Sequence, residues 1–205
     1  SPIINIKENR MPCILQEVRN MKIVVLEGSP NRKGSTSLLA DSFRRGAEEA
    51  GHTVELIDTA HADVHPCTGC IHCGYEGPCA QKDDVEGIRK KILDADMMVF
   101  ATPLYYYGMS AQLKTMIDRF CAFNSSIQRK HMKSALITVA WNSDDWTFEA
   151  LEAHYRTLVR YLNLQDMGMV LGYGCGTPSV TRYSEFPQQA WSEQDEIHET
   201  GKFRA

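Results

Sequence analysis

Short apolar runs alternate with amphipathic stretches along the chain from Lys22 onward. Short continuous apolar runs are typical of strands buried on both faces, whereas apolar residues spaced three and four apart predict helices. The predicted strands are Ile23–Leu26, Val54–Ile57, Met97–Ala101, Ser134–Ala140 and Gln165–Leu171. The predicted helices are Ser35–Ala50, Asp83 or Asp84 to about Leu93, Ala111–Ala122, Asp144 or Asp145 to about Leu162, and residues 187–201.

Strands that alternate with helices in this way predict an α/β fold, a doubly wound parallel sheet of five strands with helices on both faces. Such sheets bind ligands beyond the carboxyl ends of their strands. The loops at 28–36, 102–108, 141–145 and 172–178 all follow strands, and we expect them to meet at one rim. We predict a single domain over residues 21–205, preceded by an extension or arm at residues 1–20.

The composition narrows the functional classes. The chain has 205 residues, 43% of them hydrophobic, and a net charge of -4. An acidic chain without a Lys/Arg cluster is a poor nucleic-acid binder, and no apolar run approaches the roughly 20 residues that a bilayer requires. We therefore expect neither a nucleic-acid nor a membrane partner. The seven cysteines are odd in number, and no apolar signal core precedes them. Both features favour thiols or metal ligands in a reducing cytoplasm.

The loop after the first strand carries polar groups suited to a phosphate. It reads Gly-Ser-Pro-Asn-Arg-Lys-Gly-Ser-Thr-Ser from Gly28 and leads directly into a helix, whose free N–H groups attract anions. It matches neither the Walker loop nor the dinucleotide fingerprint. A merely polar turn is the simpler alternative. The candidate phosphate ligands are Ser29, Asn31, Arg32, Ser35 and Thr36, with Lys33 as a further source of charge.

An aromatic loop follows the third strand. Thr102, Pro103 and Leu104 precede three consecutive tyrosines, Tyr105 to Tyr107, and Gly108 follows them. Three adjacent aromatic rings cannot all point inward, so the cluster suits stacking on a flat ring or contact with a second subunit. Backbone N–H groups near Leu104–Tyr106 are candidates to stabilise negative charge on such a ring. Trp141, after the fourth strand, either borders the ligand or closes the core.

With these two segments in order, the chain resembles the flavodoxin-like NAD(P)H-dependent FMN reductases over about Met21 to Pro178. Lys22–Ser37 resembles the start of that family, and Ala101–Phe120 resembles its flavin-ring loop and following helix. The resemblance implies a flavodoxin-like fold, bound FMN, NAD(P)H as co-substrate, and a homodimer or homotetramer. By matching position it places Ser29, Asn31, Ser35 and Thr36 on the phosphate, and Thr102–Tyr105 and Gly108 along the ring. Relatives often carry Arg where Asn31 stands, so Arg32 or Lys33 is expected to supply the charge instead.

Four cysteines fall within 13 positions, at the spacing Cys-x2-Cys-x2-Cys-x5-Cys. Four thiolates so spaced can ligate a [4Fe–4S] cluster or a zinc ion. The spacing resembles the motif of the iron-sulfur flavoproteins, a branch of the same family. The alternative is a loop without metal, because many reductases of this family resemble it, and Thr68-Gly69-Cys70 and Asp83-Asp84 fit that broader pattern. The candidate ligands are Cys67, Cys70, Cys73 and Cys79, while Cys13, Cys121 and Cys175 are expected to be structural or incidental.

The sequence thus predicts an FMN-dependent oxidoreductase that takes hydride from NAD(P)H and reduces a quinone, a flavin or another small-molecule electron acceptor. The flavin carries the chemistry, so no catalytic side chain is predicted. The first alternative is an iron-sulfur flavoprotein that moves single electrons between a ferredoxin and FMN. The second is a flavodoxin-type carrier without enzymatic activity. Asp144-Asp145 are interpreted as a helix cap and Asp118-Arg119 as surface or subunit contacts.

Overall fold

The computed structural model describes residues 20–199, and side chains as far as Ser192. The predicted arm at residues 1–20 therefore lies outside the described residues except for Asn20. So do Cys13 and the end of the predicted final helix, residues 200 and 201. Within the described residues, no helix combines the length and apolar character needed to cross a bilayer.

Five parallel strands form one sheet in the order β2-β1-β3-β4-β5. This is the flavodoxin-like strand order, and it confirms the predicted α/β fold. All five strands lie where the apolar runs predicted them, with ends shifted by one or two residues. Their bounds are β1 Lys22–Glu27, β2 Thr53–Asp58, β3 Met97–Pro103, β4 Lys133–Val139 and β5 Gln165–Gly172.

Helices cover both faces of the sheet. Their bounds are α1 Ser35–Glu49, α2 Val85–Asp94, α3 Ala111–Asp118, α4 Asn124–Lys130, α5 Glu149–Tyr161, α6 Pro178–Arg182 and α7 Phe186–Glu199, with a 3-10 helix at Arg119–Phe123. Side chains of α1 and α7 pack on one face, against Ile23 and Val25 of β1. Side chains of α2 to α5 pack on the other, against Val24 and Leu26. Successive residues of a buried strand thus serve two separate cores.

The predicted helix Ala111–Ala122 is divided in the structure. α3 ends at Asp118, and the 3-10 helix and α4 follow it. Phe120 and Phe123 are both buried there, and a 3-10 helix places residues three apart on the same side. Arg119 also turns inward, and its side chain is 1% exposed. The interpretation of Arg119 as a surface contact was wrong.

The predicted cap of α5 was also wrong, because this helix begins at Glu149 with the buried Phe148 before it. The carbonyl of Asp144 instead accepts a hydrogen bond from the Thr147 N–H in a turn. For α2 the sequence predicts Asp83 or Asp84 as the cap. Asp84 immediately precedes the helix, and its side chain makes no capping hydrogen bond. The Asp83 carboxylate accepts from the Val85 N–H at 3.2 Å.

Candidate functional site

A cleft of about 130 Å³ lies at the carboxyl rim of the sheet. It is bounded by the loops that follow β1, β3, β4 and β5, the segments that the sequence predicted to meet. Its lining residues are Ser29, Asn31, Gly34, Ser35, Thr36, Pro103, Leu104, Tyr105, Val139, Ala140, Trp141, Cys175, Gly176 and Pro178. The cleft has a polar end at the start of α1 and an apolar, aromatic end beside β3 and β4.

The polar end is built mainly from backbone groups. Helix α1 begins at Ser35, and Gly34 before it supplies no side chain to cap the first turn. The first turn of a helix leaves N–H groups without intrahelical partners, and α1 carries no acidic residue there. These N–H groups and the positive end of the helix dipole therefore lie at the cleft, and no acidic residue of the first turn itself neutralises them. The arrangement suits a phosphate.

Two of the predicted phosphate ligands, Ser29 and Asn31, line the cleft and also shape the loop. The Ser29 hydroxyl accepts a hydrogen bond from the Asn31 N–H at 3.3 Å and lies 3.2 Å from the Asn31 carbonyl. The Asn31 side-chain oxygen accepts from the Lys33 N–H at 3.1 Å. The hydroxyls of Ser35 and Thr181 lie 2.8 Å apart and link α6 to the start of α1. Ser35 and Thr36 are the predicted ligands that belong to the first turn of α1, where the N–H groups are free.

The loop itself is fixed to the helix that follows β3. The Ser110 hydroxyl donates to the Gly28 carbonyl at 2.6 Å, and the Gly28 N–H donates to the Ala101 carbonyl at 2.8 Å. A Cβ at position 28 would lie 2.5 Å from the Cβ of Leu113, so only glycine fits. This close contact fixes the position of the polar loop, residues 28–36, relative to the aromatic loop, residues 102–108.

The predicted source of positive charge is only partly available. Arg32 is 68% exposed and forms an ion pair with Asp58 at 2.8 Å, away from the cleft lining. Lys33 is exposed and has no ion-pair partner within the described part of the chain. Beneath the loop, burial raises the pKa of the Glu27 carboxyl above its ordinary value, although contact with the Ser37 hydroxyl opposes the shift.

The aromatic end is formed where β3 and β4 leave the sheet. Pro103 is buried at the end of β3, and the Leu104 N–H donates to the Val139 carbonyl at 2.8 Å. The predicted ring-binding residue Thr102 is fully buried, and its hydroxyl accepts from the Ser110 N–H at 2.9 Å. Tyr105 is exposed and lines the cleft.

Tyr106 and Tyr107 form the tip of a tight turn closed by two backbone hydrogen bonds between Tyr105 and Gly108. Their φ angles are 46° and 65°, as in a type I′ turn, which normally holds Asn and Gly. Tyr107 stacks near Trp146, with 5.2 Å between ring centroids. The side chain of Tyr106 points fully into solvent and does not line the cleft, and neither does Gly108.

Trp141 forms the outer wall of the cleft. Its side chain is 76% exposed, so the alternative that it closes the core was wrong. The indole lies flat against the backbone of Gly176, where a Cβ would come within 2.2 Å of the ring atom Cδ2. Gly176, Cys175 and Pro178 were not predicted as site residues, although the sequence placed their loop at the rim.

The cysteine loop, residues 59–84, forms a second candidate site. Cys67, Cys70, Cys73 and Cys79 all line one recess of about 20 Å³, together with Arg119 and Cys121. Cys121, which the sequence predicts to be structural or incidental, belongs to this recess, and its Sγ lies 4.0 Å from the Sγ of Cys73. Burial, followed by the neighbouring Cys73, raises the pKa of Cys121 to about 11.

In the present arrangement the sulfurs do not form a metal site. Among residues 20–199, no group of three or more His, Cys, Asp or Glu side chains is placed to hold a metal ion. The six cysteines of this part of the chain are free thiols. Of these six described cysteines, only Cys175, which borders the cleft, is fully buried, while Cys67 and Cys70 are exposed. The recess therefore gathers the predicted ligands without closing on a metal.

A larger groove of about 500 Å³ lies at the opposite, amino end of the strands. Its charges largely neutralise one another, because Lys22 pairs with Asp94 at 2.8 Å and Lys91 pairs with Glu55 at 2.5 Å. It is also remote from the carboxyl rim, where doubly wound sheets bind their ligands. The rim cleft and the cysteine recess remain the two candidate sites.

Known proteins resemble this chain in sequence. An iron-sulfur flavoprotein of Methanocaldococcus jannaschii is 35% identical over 119 residues, which cover 58% of this chain and 62% of that protein. An iron-sulfur flavoprotein of Archaeoglobus fulgidus is 26% identical over 156 residues, which cover 75% of this chain and 69% of that protein. The match thus covers slightly less than two thirds of the first relative and slightly more than two thirds of the second. The remainder of each relative lies outside the match.

Known structures share the fold. The NAD(P)H:quinone oxidoreductase from Methanothermobacter marburgensis superposes with a TM-score of 0.73 at 17% identity, covering 91% of this chain and all of that one. The model of the NADPH-dependent FMN reductase family matches residues 21–173, which include the loops after β1, β3 and β4 and the whole cysteine loop. The chain therefore belongs to the NADPH-dependent FMN reductase family of oxidoreductases.

Proposed function

We propose that this protein binds FMN in the rim cleft, oxidises NAD(P)H and reduces a quinone, a flavin or another small acceptor. The observation that supports this most directly is the two-ended cleft. Free N–H groups at the start of α1 lie at one end, and Pro103, Tyr105 and Trp141 lie at the other. A phosphate and a flat ring are the two ends of FMN, so the residues present fit this group.

The proposed roles follow from these positions. The first turn of α1 holds the phosphate, with the hydroxyls of Ser35 and Thr36 as additional donors. Ser29 and Asn31 keep the loop open for it through their hydrogen bonds to its backbone. Bound FMN would supply the hydride and electron chemistry. The Tyr106 N–H would stabilise negative charge on its ring, because the N–H groups of Leu104 and Tyr105 already donate to the Val139 and Gly108 carbonyls.

The aromatic side chains would govern access to the ring. Tyr105 and Trp141 are largely exposed at the cleft, so either can stack on a nicotinamide or a flat acceptor. At about 130 Å³ the cleft is smaller than the 300 Å³ or more usual for small-molecule sites. A second subunit that covers the flavin ring would complete the cleft. On that basis we propose a homo-oligomer.

Binding of FMN and of riboflavin by Thr36→Val tests the phosphate end. Valine keeps the shape of threonine but removes its hydroxyl, so FMN affinity should fall about tenfold, or about 1.4 kcal/mol. Riboflavin has no phosphate, and its affinity should not change. Thr157→Val is the matched control, because that hydroxyl lies on the exposed face of α5 and bonds the Ala153 carbonyl. Equal loss for both ligands would contradict the proposed placement.

Steady-state NAD(P)H oxidation separates an enzyme from an electron carrier. With FMN bound, the protein should oxidise NADH or NADPH continuously when a quinone is added. A carrier would show almost no turnover, because it lacks a productive nicotinamide position. The free thiols of the described chain fit a reducing cytoplasm, and we propose that compartment for the activity.

A second function is favoured by the cysteine recess. We propose, as the alternative, that Cys67, Cys70, Cys73 and Cys79 ligate a [4Fe–4S] cluster through which single electrons move between a ferredoxin and FMN. Relatives of this chain are named iron-sulfur flavoproteins, and the four cysteines border one recess. The donor chemistry fits such a cluster. The closed recess, at about 20 Å³, would have to widen by movement of the exposed cysteine loop.

Iron content after anaerobic purification tests this alternative. Cys70→Ser should lose most of the iron, because the motif then supplies only three thiolates. Cys121→Ser is the matched control, since this thiol borders the same recess but lies outside the motif. It should keep the iron. Wild-type protein without iron, even after reconstitution with iron and sulfide, would remove the alternative and leave the FMN proposal intact.

A further inference from the structure

A buried ion pair closes the base of the cysteine loop. Arg119, in the 3-10 helix, donates to both carboxylate oxygens of Asp83, at 2.5 and 3.1 Å, and to the His65 carbonyl at 2.8 Å. The Asp83 carboxylate also accepts from the His65 N–H at 3.1 Å. His65 precedes Cys67 and Asp83 follows Cys79, so this pair joins the two ends of the loop around the cysteines.

The pair is arranged as a dipole. Both side chains are 1% exposed, and Arg119 lines the recess with the five cysteines whereas Asp83 does not. The Arg119 Nε has no hydrogen-bond partner within the described part of the chain. Burial alone would lower the pKa of Arg119, but Asp83 and then Cys79 raise it, so the guanidinium stays charged. The positive end of the dipole therefore borders the sulfurs.

We propose that Arg119 is the positioning and charge-compensating residue of the cysteine recess. It holds the loop in place through Asp83 and His65, and it presents fixed positive charge to any anionic iron–sulfur group on the four thiolates. Such charge stabilises the more negative, reduced state, because the buried environment screens it weakly. Arg119 therefore raises the reduction potential of the site. This inference rests on the proposed cluster and not on the FMN site.

Two substitutions should move the potential in opposite directions. Arg119→Gln removes the positive end of the dipole and should lower the potential. The expected shift is at least a tenfold change in the reduction equilibrium, or about 59 mV for one electron. Asp83→Asn removes the negative end, keeps an acceptor for Arg119, and should raise the potential. A role confined to holding the loop would make both variants lose iron and would not produce opposite shifts.

The measurement is a dithionite titration of the full-length protein after reconstitution with iron and sulfide, followed by electron paramagnetic resonance, with iron counted per chain. Arg129→Gln is the matched control, because Arg129 binds Glu76 in the same loop but is 65% exposed. Its potential should equal that of the wild type. If Arg119→Gln does not fold, Arg119→Lys keeps the charge and should stay near the wild-type potential, while Asp83→Asn still tests the sign.

The outcomes are distinguishable. Opposite shifts with an unchanged control support the role of Arg119. A cluster whose potential is the same in all variants, or shifts in one direction in both, overturns this role but leaves the cluster. Wild-type protein that takes up no iron overturns the cluster and this inference together, and FMN binding then stands or falls by the Thr36→Val test.

Discussion

At the scale of single residues, the rim cleft relies more on backbone than on side chains. The sequence placed the loop after the first strand at the rim, where it lies, and it predicts phosphate contact for Ser29 and Asn31. Both residues line the cleft, and their polar groups also bond within the loop itself. The identities of the side chains do not show which backbone N–H groups remain free at the start of a helix. Arg32 was expected to supply charge, but Asp58 lies 26 residues later in the sequence and binds it. That pairing exists only once β1 and β2 lie side by side.

Gly176 is predicted to matter for ligand binding rather than for stability. In Gly176→Ala, the new Cβ would lie 2.2 Å from the indole of Trp141 and push it off the cleft wall. Since Trp141 is mostly exposed, the free energy of unfolding should change by less than about 1 kcal/mol. FMN affinity should fall about tenfold. Flavin fluorescence quenching measures the affinity, and urea unfolding measures the stability.

Gly87→Ala serves as the control for this prediction. Gly87 lies in α2 with open space around its Cα, so alanine should stabilise the helix by up to about 1 kcal/mol. Its FMN affinity should equal that of the wild type. If Gly176→Ala also binds FMN as the wild type does, Trp141 is not part of the flavin site.

At the scale of elements, the strands were predictable and the helix boundaries were less so. Strands buried on both faces carry continuous apolar runs, which the sequence shows directly. Where the predicted Ala111–Ala122 helix is divided, Arg119 meets Asp83, 36 residues earlier in the chain, a contact that no local pattern shows. Helices α4 and α6 are short and have weak periodicity, so no local pattern marked them. Likewise, no spacing rule links Cys121 to Cys73, 48 residues away.

The ion pair at the base of the cysteine loop predicts a dependence of stability on acid. Burial alone would raise the pKa of Asp83, but hydrogen bonds from Arg119, His65 and Val85 lower it below its ordinary value. Its ionised form therefore adds stability above about pH 4, and this is lost as the pH falls through the depressed value. The wild type should be more stable than Asp83→Asn near pH 6.

Urea unfolding at several pH values checks this dependence. The difference in unfolding free energy between the wild type and Asp83→Asn should shrink as the pH is lowered from about 6 to about 2.5. Asp94→Asn is the control, because Asp94 pairs with Lys22 at the surface, where ion pairs contribute little. A constant difference for Asp83→Asn across this range would show that the buried pair is not a stabilising element.

The tyrosine turn predicts a local gain in stability. Tyr106 adopts a positive φ of 46° and its ring contacts no other part of the chain that the structure describes. Asparagine tolerates this conformation far better than tyrosine. In Tyr106→Asn the free energy of unfolding of the monomer should rise by a few tenths to about 1 kcal/mol. A loss of stability that depends on protein concentration would instead place Tyr106 in a subunit interface.

At the scale of the whole molecule, topology brings both candidate sites to one edge of the sheet. The rim cleft uses the carboxyl ends of β1, β3, β4 and β5, and the cysteine loop begins at the carboxyl end of β2. The Thr59 N–H, at the start of that loop, donates to the Glu27 carbonyl at the end of β1. The carboxyl ends of two neighbouring parallel strands therefore lead into the two candidate sites.

The most direct test of the account is the flavin and iron content of anaerobically purified wild-type protein, read from its visible spectrum and from assays on the same sample. We predict about one FMN per chain, either as purified or after incubation with FMN. Iron at about four atoms per chain would add the electron-transfer function, and flavin without iron would leave the reductase function alone. Protein that takes up no FMN under any of these conditions would contradict the proposal that the rim cleft binds FMN.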